Sequence, residues 1–205
     1  MPAHLDRIPI FFAKWIAEHG DRGPVGEVAQ WLATGELEPL SFAALVAKHG
    51  CGREPWFRLG VLDLVLDYAR DRLARGGLTV HDVTDVRLLK FALHVADGDF
   101  FEHRPSEVSA FLQDTVEAVL TDGVLADIEE LYLVEVQAAF DLSYDQYLIL
   151  ARPALERAMS RLRTTGSSNQ VDFLAANNGA AAPLSSLEST YRLALRHRRS
   201  PGAMY

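Results

Sequence analysis

Apolar residues recur at intervals of three and four along most of the first 165 positions. Ile8, Phe11, Phe12, Trp15 and Ile16 open the series and predict one buried helix face. Gly20, Gly23 and Pro24 are expected to break that helix. A short second helix, Val25 to Ala33, should end at Gly35, and Phe42, Leu45 and Val46 mark a third, stopped by Gly50 and Gly52. The fourth stripe is Trp56, Leu59, Leu62, Leu66, Ala69 and Leu73. It begins at Pro55, where a missing N–H costs nothing, and ends at Gly76-Gly77. Thr79 and Asp82 have the spacing of a capping box at the start of a helix carrying Val83, Val86, Leu89, Leu93 and Val95 to Gly98. Pro105 starts another, with Val108, Phe111, Leu112, Val116 and Val119 inward, and Gly123 ends it.

Helical patterns over 128–140 and 143–162 complete the series. Ser143 and Gln146 repeat the capping-box spacing, and Pro153 predicts a kink or break near Arg152. No stretch alternates with period two between turns. The pattern therefore predicts an all-α fold: a bundle of about eight mostly antiparallel helices, in which 1–78 and 79–165 share one core.

The pattern changes at Gly166. Residues 166–186 are rich in Gly, Ser, Asn, Ala and Pro with one charge, Asp172, as in a linker or extended arm. Within a basic tail over 187–205, residues 187–199 regain a helical spacing at Leu187, Tyr191 and Leu195, with Arg192, Arg196 and Arg199 on another face. A helix this short is marginal alone, so the arm is expected to order only by docking. Tyr191, Arg192, Leu195, Arg196 and Arg199 are its candidate partner-binding residues, toward a protein partner or a second copy of the chain.

Composition narrows the function classes. Of 205 residues, 49% are hydrophobic and 23% charged, as in ordinary globular proteins, and the net charge of −8 gives no electrostatic footprint for nucleic acid. No run approaches the ~20 apolar residues of a bilayer-spanning helix. The segment 10–16 is interrupted by Lys14 and lacks a cleavage pattern, so it reads as an amphipathic helix. The single cysteine, Cys51, excludes an internal disulfide and a multi-cysteine zinc site. A lone thiol fits a cytoplasmic setting. Between Gly50 and Gly52 it reads as a bland thiol in an exposed turn. Trp15, Trp31 and Trp56 read as core or interface anchors.

The charge is uneven. Residues 82–145 hold fifteen acids against Arg87, Lys90 and Arg104, a net of −12. Such crowding predicts a solvated acidic surface, a docking face for a basic partner, or a site for a divalent cation such as calcium or magnesium. Two segments within it share one plan of helix, Asp-Gly, one residue, apolar residue, next helix: Asp97-Gly98-Asp99-Phe100 and Asp122-Gly123-Val124-Leu125. Glycine permits a positive-φ exit from the helix, and the apolar residue plugs the turn into the core. Neither is an EF-hand. With either glycine at position six of the loop, an apolar residue occupies position one.

The stretch from Leu120 through Asp122-Gly123, Asp127 and Glu129-Glu130 to Leu131, followed by Ala138-Ala139-Phe140-Asp141-Leu142-Ser143, resembles the tellurite-resistance TerB-like helical family. The Ala96-Asp97-Gly98 turn is similar to the family's other helical hairpin, although His103-Arg104-Pro105 replaces its acidic helix start. The resemblance covers roughly 83–162. It implies an all-helical, non-catalytic domain with an acidic metal site, associated with stress response or phage defence. By motif position the ligand candidates are Asp97, Asp99, Glu102, Asp122, Asp127, Glu129 and Glu130.

Two other readings stand beside it. His94, Asp97, Glu102 and His103 could converge as a catalytic metal site, since His94 and Asp97 are spaced to share a helix face. An acidic face could instead block a basic nuclease, as an immunity or decoy protein does. There is no nucleotide-binding glycine loop, and Ser41 and Ser143 read as caps.

Overall fold

A computed structural model describes residues 7–75, 79–119 and 127–164, with side chains described for all of these except 80, 119, 127–132, 155 and 158–164. Among the described residues there are nine helices and no strand: α1 (Arg7–His19), α2 (Gly23–Thr34), α3 (Pro39–His49), α4 (Pro55–Ala74), α5 (Val80–Ala92), α6 (Asp99–His103), α7 (Pro105–Val119), α8 (Asp127–Ala139) and α9 (Tyr144–Thr164). The all-α bundle read from the periodicity is the fold. No described helix is long and apolar enough to cross a membrane. The described residues divide into two compact units, one of those up to Val108 with Ala139–Asp141, the other of those in Ser109–Ala138 and from Leu142 on.

In the first unit α4 is the axis. It neighbours α2 and α5, while α2 also neighbours α1 and α3. The predicted stripe is correct at Leu62, Leu66 and Ala69 but too narrow. Phe57, Val61, Leu64, Val65 and Tyr68 are buried as well, whereas Trp56 stays half exposed. A helix packed on several sides loses its single apolar stripe. Around it pack Ile8, Phe11 and Phe12 of α1, Val28 and Leu32 of α2, and Val83, Val86 and Leu89 of α5. The rings of Phe11 and Tyr68 meet edge-on at 5.3 Å. Gly23 and Pro24 do not break a helix but open α2, with Pro24 in the first turn where its missing N–H is harmless.

Buried polar groups in this unit are paired. Asp82, 1% exposed, closes the expected capping box with Thr79, and also accepts from Arg7 at 3.0 Å and Arg72 Nε at 2.8 Å. The Tyr68 hydroxyl donates to Asp85 at 2.6 Å; burial first, then the neighbouring carboxylate, pushes its pKa far above the usual phenol value. Arg104 grips Asp63 with two hydrogen bonds of 2.7 Å. Buried Lys90 donates to Ala139 O at 2.8 Å and pairs with Asp141, so the 139–141 turn belongs to this unit. The Phe140 ring stands edge-on to Phe100 at 5.0 Å.

The second unit buries Phe111, Leu112 and Val116 of α7, Leu133, Val134 and Val136 of α8, and Tyr147, Leu150, Ala151 and Ala154 of α9. Ser109 Oγ donates to Leu150 O at 2.9 Å, tying α7 to α9. Ser143 and Gln146 cap α9 reciprocally, as expected. Of the kink or break expected near Arg152, the break is absent. α9 runs unbroken through Pro153, which lies on the exposed face.

The Asp97-Gly98 turn keeps its left-handed glycine and its buried apolar plug but does not end the preceding helix: α5 stops at Ala92, short of the expected Gly98, and Gly98 is the residue that opens α6. Gly98 takes φ +87° before α6, and Phe100 is fully buried. The turn leads into the five-residue α6, an element absent from the periodicity, before α7 starts at Pro105. A Cβ at Gly98 would meet nothing within 4 Å, so backbone strain alone sets the cost of substitution. Gly98→Val should lower stability by about 1–2 kcal/mol in urea unfolding. No change would mean that the turn can adopt another path. The second turn, 121–126, lies outside the described residues.

Candidate functional site

The C-terminus of α5 organises the site. His94 adopts φ +52°, a conformation that favours glycine, directly after the helix. Its N–H donates to Phe91 O at 3.3 Å, and the Val95 N–H reaches back to Lys90 O at 2.9 Å. This pair of reversed bonds is the Schellman ending, with histidine at the position glycine usually fills. His94 and Asp97 therefore do not share a helix face, because α5 has already ended. The chain then runs through Val95 and Ala96 to α6, where Asp99 is nearly buried. One carboxylate oxygen of Asp99 accepts from the Ala96 N–H at 2.8 Å; the other takes the Arg58 guanidinium of α4.

Between this link, α3 and α4 the first unit holds a cavity of about 300 Å³. From α3, Phe42, Ala43, Val46 and Ala47 line it, a single helix face by their spacing. From α4 come Phe57, Arg58, Val61 and Leu62, and from the link Leu93, His94 and Val95. The walls are apolar and partly aromatic. Phe42 stacks on Phe57 at 6.3 Å and meets the His94 ring edge-on at 5.5 Å. The polar groups at the cavity are Arg58, Asp99 and His94.

The acidic candidates are used differently from expectation. Asp99 is held by Arg58 and a backbone N–H. Asp97 is exposed in the turn. Glu102 is exposed on α6, 3.9 Å from His103 Nε2. Among the described residues no three His, Cys, Asp or Glu stand close enough together to hold a metal ion. Asp122 and the side chains of Asp127, Glu129 and Glu130 lie outside the described residues, as do Tyr191, Arg192, Leu195, Arg196 and Arg199. Much of the acidic stretch proves to be structural. Asp82 pairs with Arg7 and Arg72, Asp85 with Tyr68, Asp99 with Arg58, and Asp141 with Lys90. Asp97, Glu102, Asp114 and Asp145 remain exposed.

Two further expectations change. Cys51 is buried, 3% exposed, because Gly50 turns left-handed at the end of α3 and directs the chain inward. Of the tryptophans none is a buried core residue. Trp15 donates to Asp67 at 3.0 Å, Trp31 stacks on Phe42, and Trp56 is 51% exposed beside Phe57. The cavity was not foreseen from the sequence. Its one signal is His94, a polar residue set between Leu93 and Val95 just ahead of the Asp-Gly turn. Compared with protein-family models, with curated proteins and with solved structures, the chain matches none.

Proposed function

We propose that the chain is a non-catalytic binding domain, and that the cavity between α3, α4 and the α5–α6 link is where it binds. The observation that carries this reading is the contrast within the first unit. Asp82, Asp85, Asp99 and Asp141 are spent on arginine, lysine, tyrosine and backbone partners, while an apolar cavity of about 300 Å³ stands between the helices. That volume is at the lower end of small-molecule sites. A dry cavity of ~150 Å³ takes one benzene, so the space here suits an apolar body of about twice that size. The metal-enzyme reading gains no support from His94, Asp97, Glu102 and His103. Their spacing put His94 and Asp97 on one helix, and that helix ends before His94. The likeness to the tellurite-resistance family rests on turns and adds no chemistry to the cavity.

The neutral probe 1-octanol tests this reading. Titrated into the full chain, it should shift the methyl resonances of Val46, Val61, Leu62 and Leu93 in a saturable way. Ala43 and Ala47 are exposed residues on the cavity's α3 wall, so a large side chain there fills space without removing core. Ala47→Trp should abolish the shifts and keep the fold. Shifts that survive Ala47→Trp, or no saturable shift in the parent protein, would overturn the reading.

A further inference from the structure

We infer that the cavity takes a small molecule with an apolar body and a carboxylate end, the carboxylate held by Arg58 and His94; this deepens the binding reading above and rests on it. The inference comes from where hydrogen-bonding capacity is spent around an otherwise apolar wall. Arg58 gives one guanidinium N–H to Asp99. Its remaining guanidinium donors have no acceptor among the described residues, although a guanidinium carries several in a fixed fork. The side chain is 44% exposed and lines the cavity, so those donors are reachable. His94 also lines the cavity, and neither ring nitrogen has a hydrogen-bond partner among the described residues.

Asp99 is the one carboxylate in the wall. It is 8% exposed at its side chain and engaged on both oxygens, by Arg58 and by the Ala96 N–H. It therefore anchors Arg58 from behind and presents little acceptor surface to a ligand. The polar edge is left with unspent donors and an acceptor already engaged on both oxygens. That arrangement complements an anion, and the planar fork of a guanidinium matches the two oxygens of a carboxylate. The backbone supports the same conclusion. A non-glycine residue at φ +52° is costly, and at this position glycine would be the conformationally easy choice. What the histidine side chain provides there is a ring against Phe42, in the cavity wall, with nitrogens that have no partner among the described residues.

Octanoate and 1-octanol have the same apolar tail and differ in the end group. Calorimetric titration of the full chain with each, below micellar concentrations, should show octanoate bound about ten-fold more tightly, the value of one charge-assisted hydrogen bond or more. Arg58→Gln should erase that preference and leave 1-octanol affinity unchanged. His94→Gly should reduce the preference without loss of folding, since glycine suits the backbone there. It decides the question if Arg58→Gln, by freeing Asp99, prevents folding. Equal binding of the two probes, both blocked by Ala47→Trp, would overturn the carboxylate inference and keep the cavity reading. A preference for octanoate undiminished in every folded variant would also overturn it, because the anion would then sit elsewhere. Binding of neither probe would overturn the cavity reading and the inference with it.

Discussion

Replacing Asp82 with alanine should destabilise the protein by about 3–5 kcal/mol, the range for breaking a buried ion pair from one side. Three partners converge on this carboxylate. Thr79 of the capping box donates through its backbone N–H at 2.8 Å and its hydroxyl at 2.6 Å, while Arg7 and Arg72 bring charge from α1 and α4. Losing the cap alone accounts for about 1 kcal/mol. The rest comes from two arginines left without their counter-charge. The effect has a pH signature. Burial alone would raise the pKa of Asp82, but the hydrogen bonds from Thr79 and Arg72 outweigh it and hold the group below its ordinary value of 3.8. A carboxyl lowered on folding stabilises fully above its unfolded pKa and loses that contribution as pH falls through the folded one. Asp82→Asn should therefore be less stable than the parent at neutral pH, and the gap should close as pH drops below about 4. A gap independent of pH would show that the charge of Asp82 does not matter to the fold. Urea unfolding across pH 2–7 gives both measurements.

Phe100→Ala should cost about 3–5 kcal/mol as well, by a different route. The ring is fully buried at the start of α6 and meets Phe140 edge-on, with an interplanar angle of 83°. Removing it takes away its apolar contacts and leaves a cavity in a region where α6 has only five residues to rearrange. Phe100→Leu, which keeps most of the volume, should cost a fraction of that. A loss under about 1 kcal/mol for the alanine variant would mean that α6 is not anchored through this residue.

Elements whose causes are local were legible in the sequence. The Thr79–Asp82 and Ser143–Gln146 caps, the glycine endings at Gly35 and Gly50, and the apolar stripes of α1, α5 and α7 need only residues three or four apart to be recognised. α4 was only partly legible, because its burial is set by neighbours on several sides and not by its own stripe. α6 was invisible, since five residues hold too little periodicity. The candidate site was misread for a related reason. Counting carboxylates over 82–145 gives a local charge, but their partners Arg7, Arg58 and Arg72 lie outside that window and reach it only through tertiary packing. His94 looked like a helical neighbour of Asp97 because nothing in its type announces a left-handed residue. Histidine there runs against the preference for glycine, and a preference violated by one residue cannot be read from spacing.

The pairing of Lys90 with Asp141 also sets an order in time. The two residues are 51 apart, and the chain between them includes residues 109–138 of the second unit. At ~5–20 residues per second of synthesis, Asp141 follows Lys90 by roughly 3–10 s. Throughout that interval the first unit has every helix from α1 to α5 but no acceptor for an ammonium that the finished fold leaves only 7% exposed. An emerging chain must therefore keep the end of α5 open to water until the 139–141 turn arrives. The N-terminal helices, although first made, are completed only once the 139–141 turn has been made.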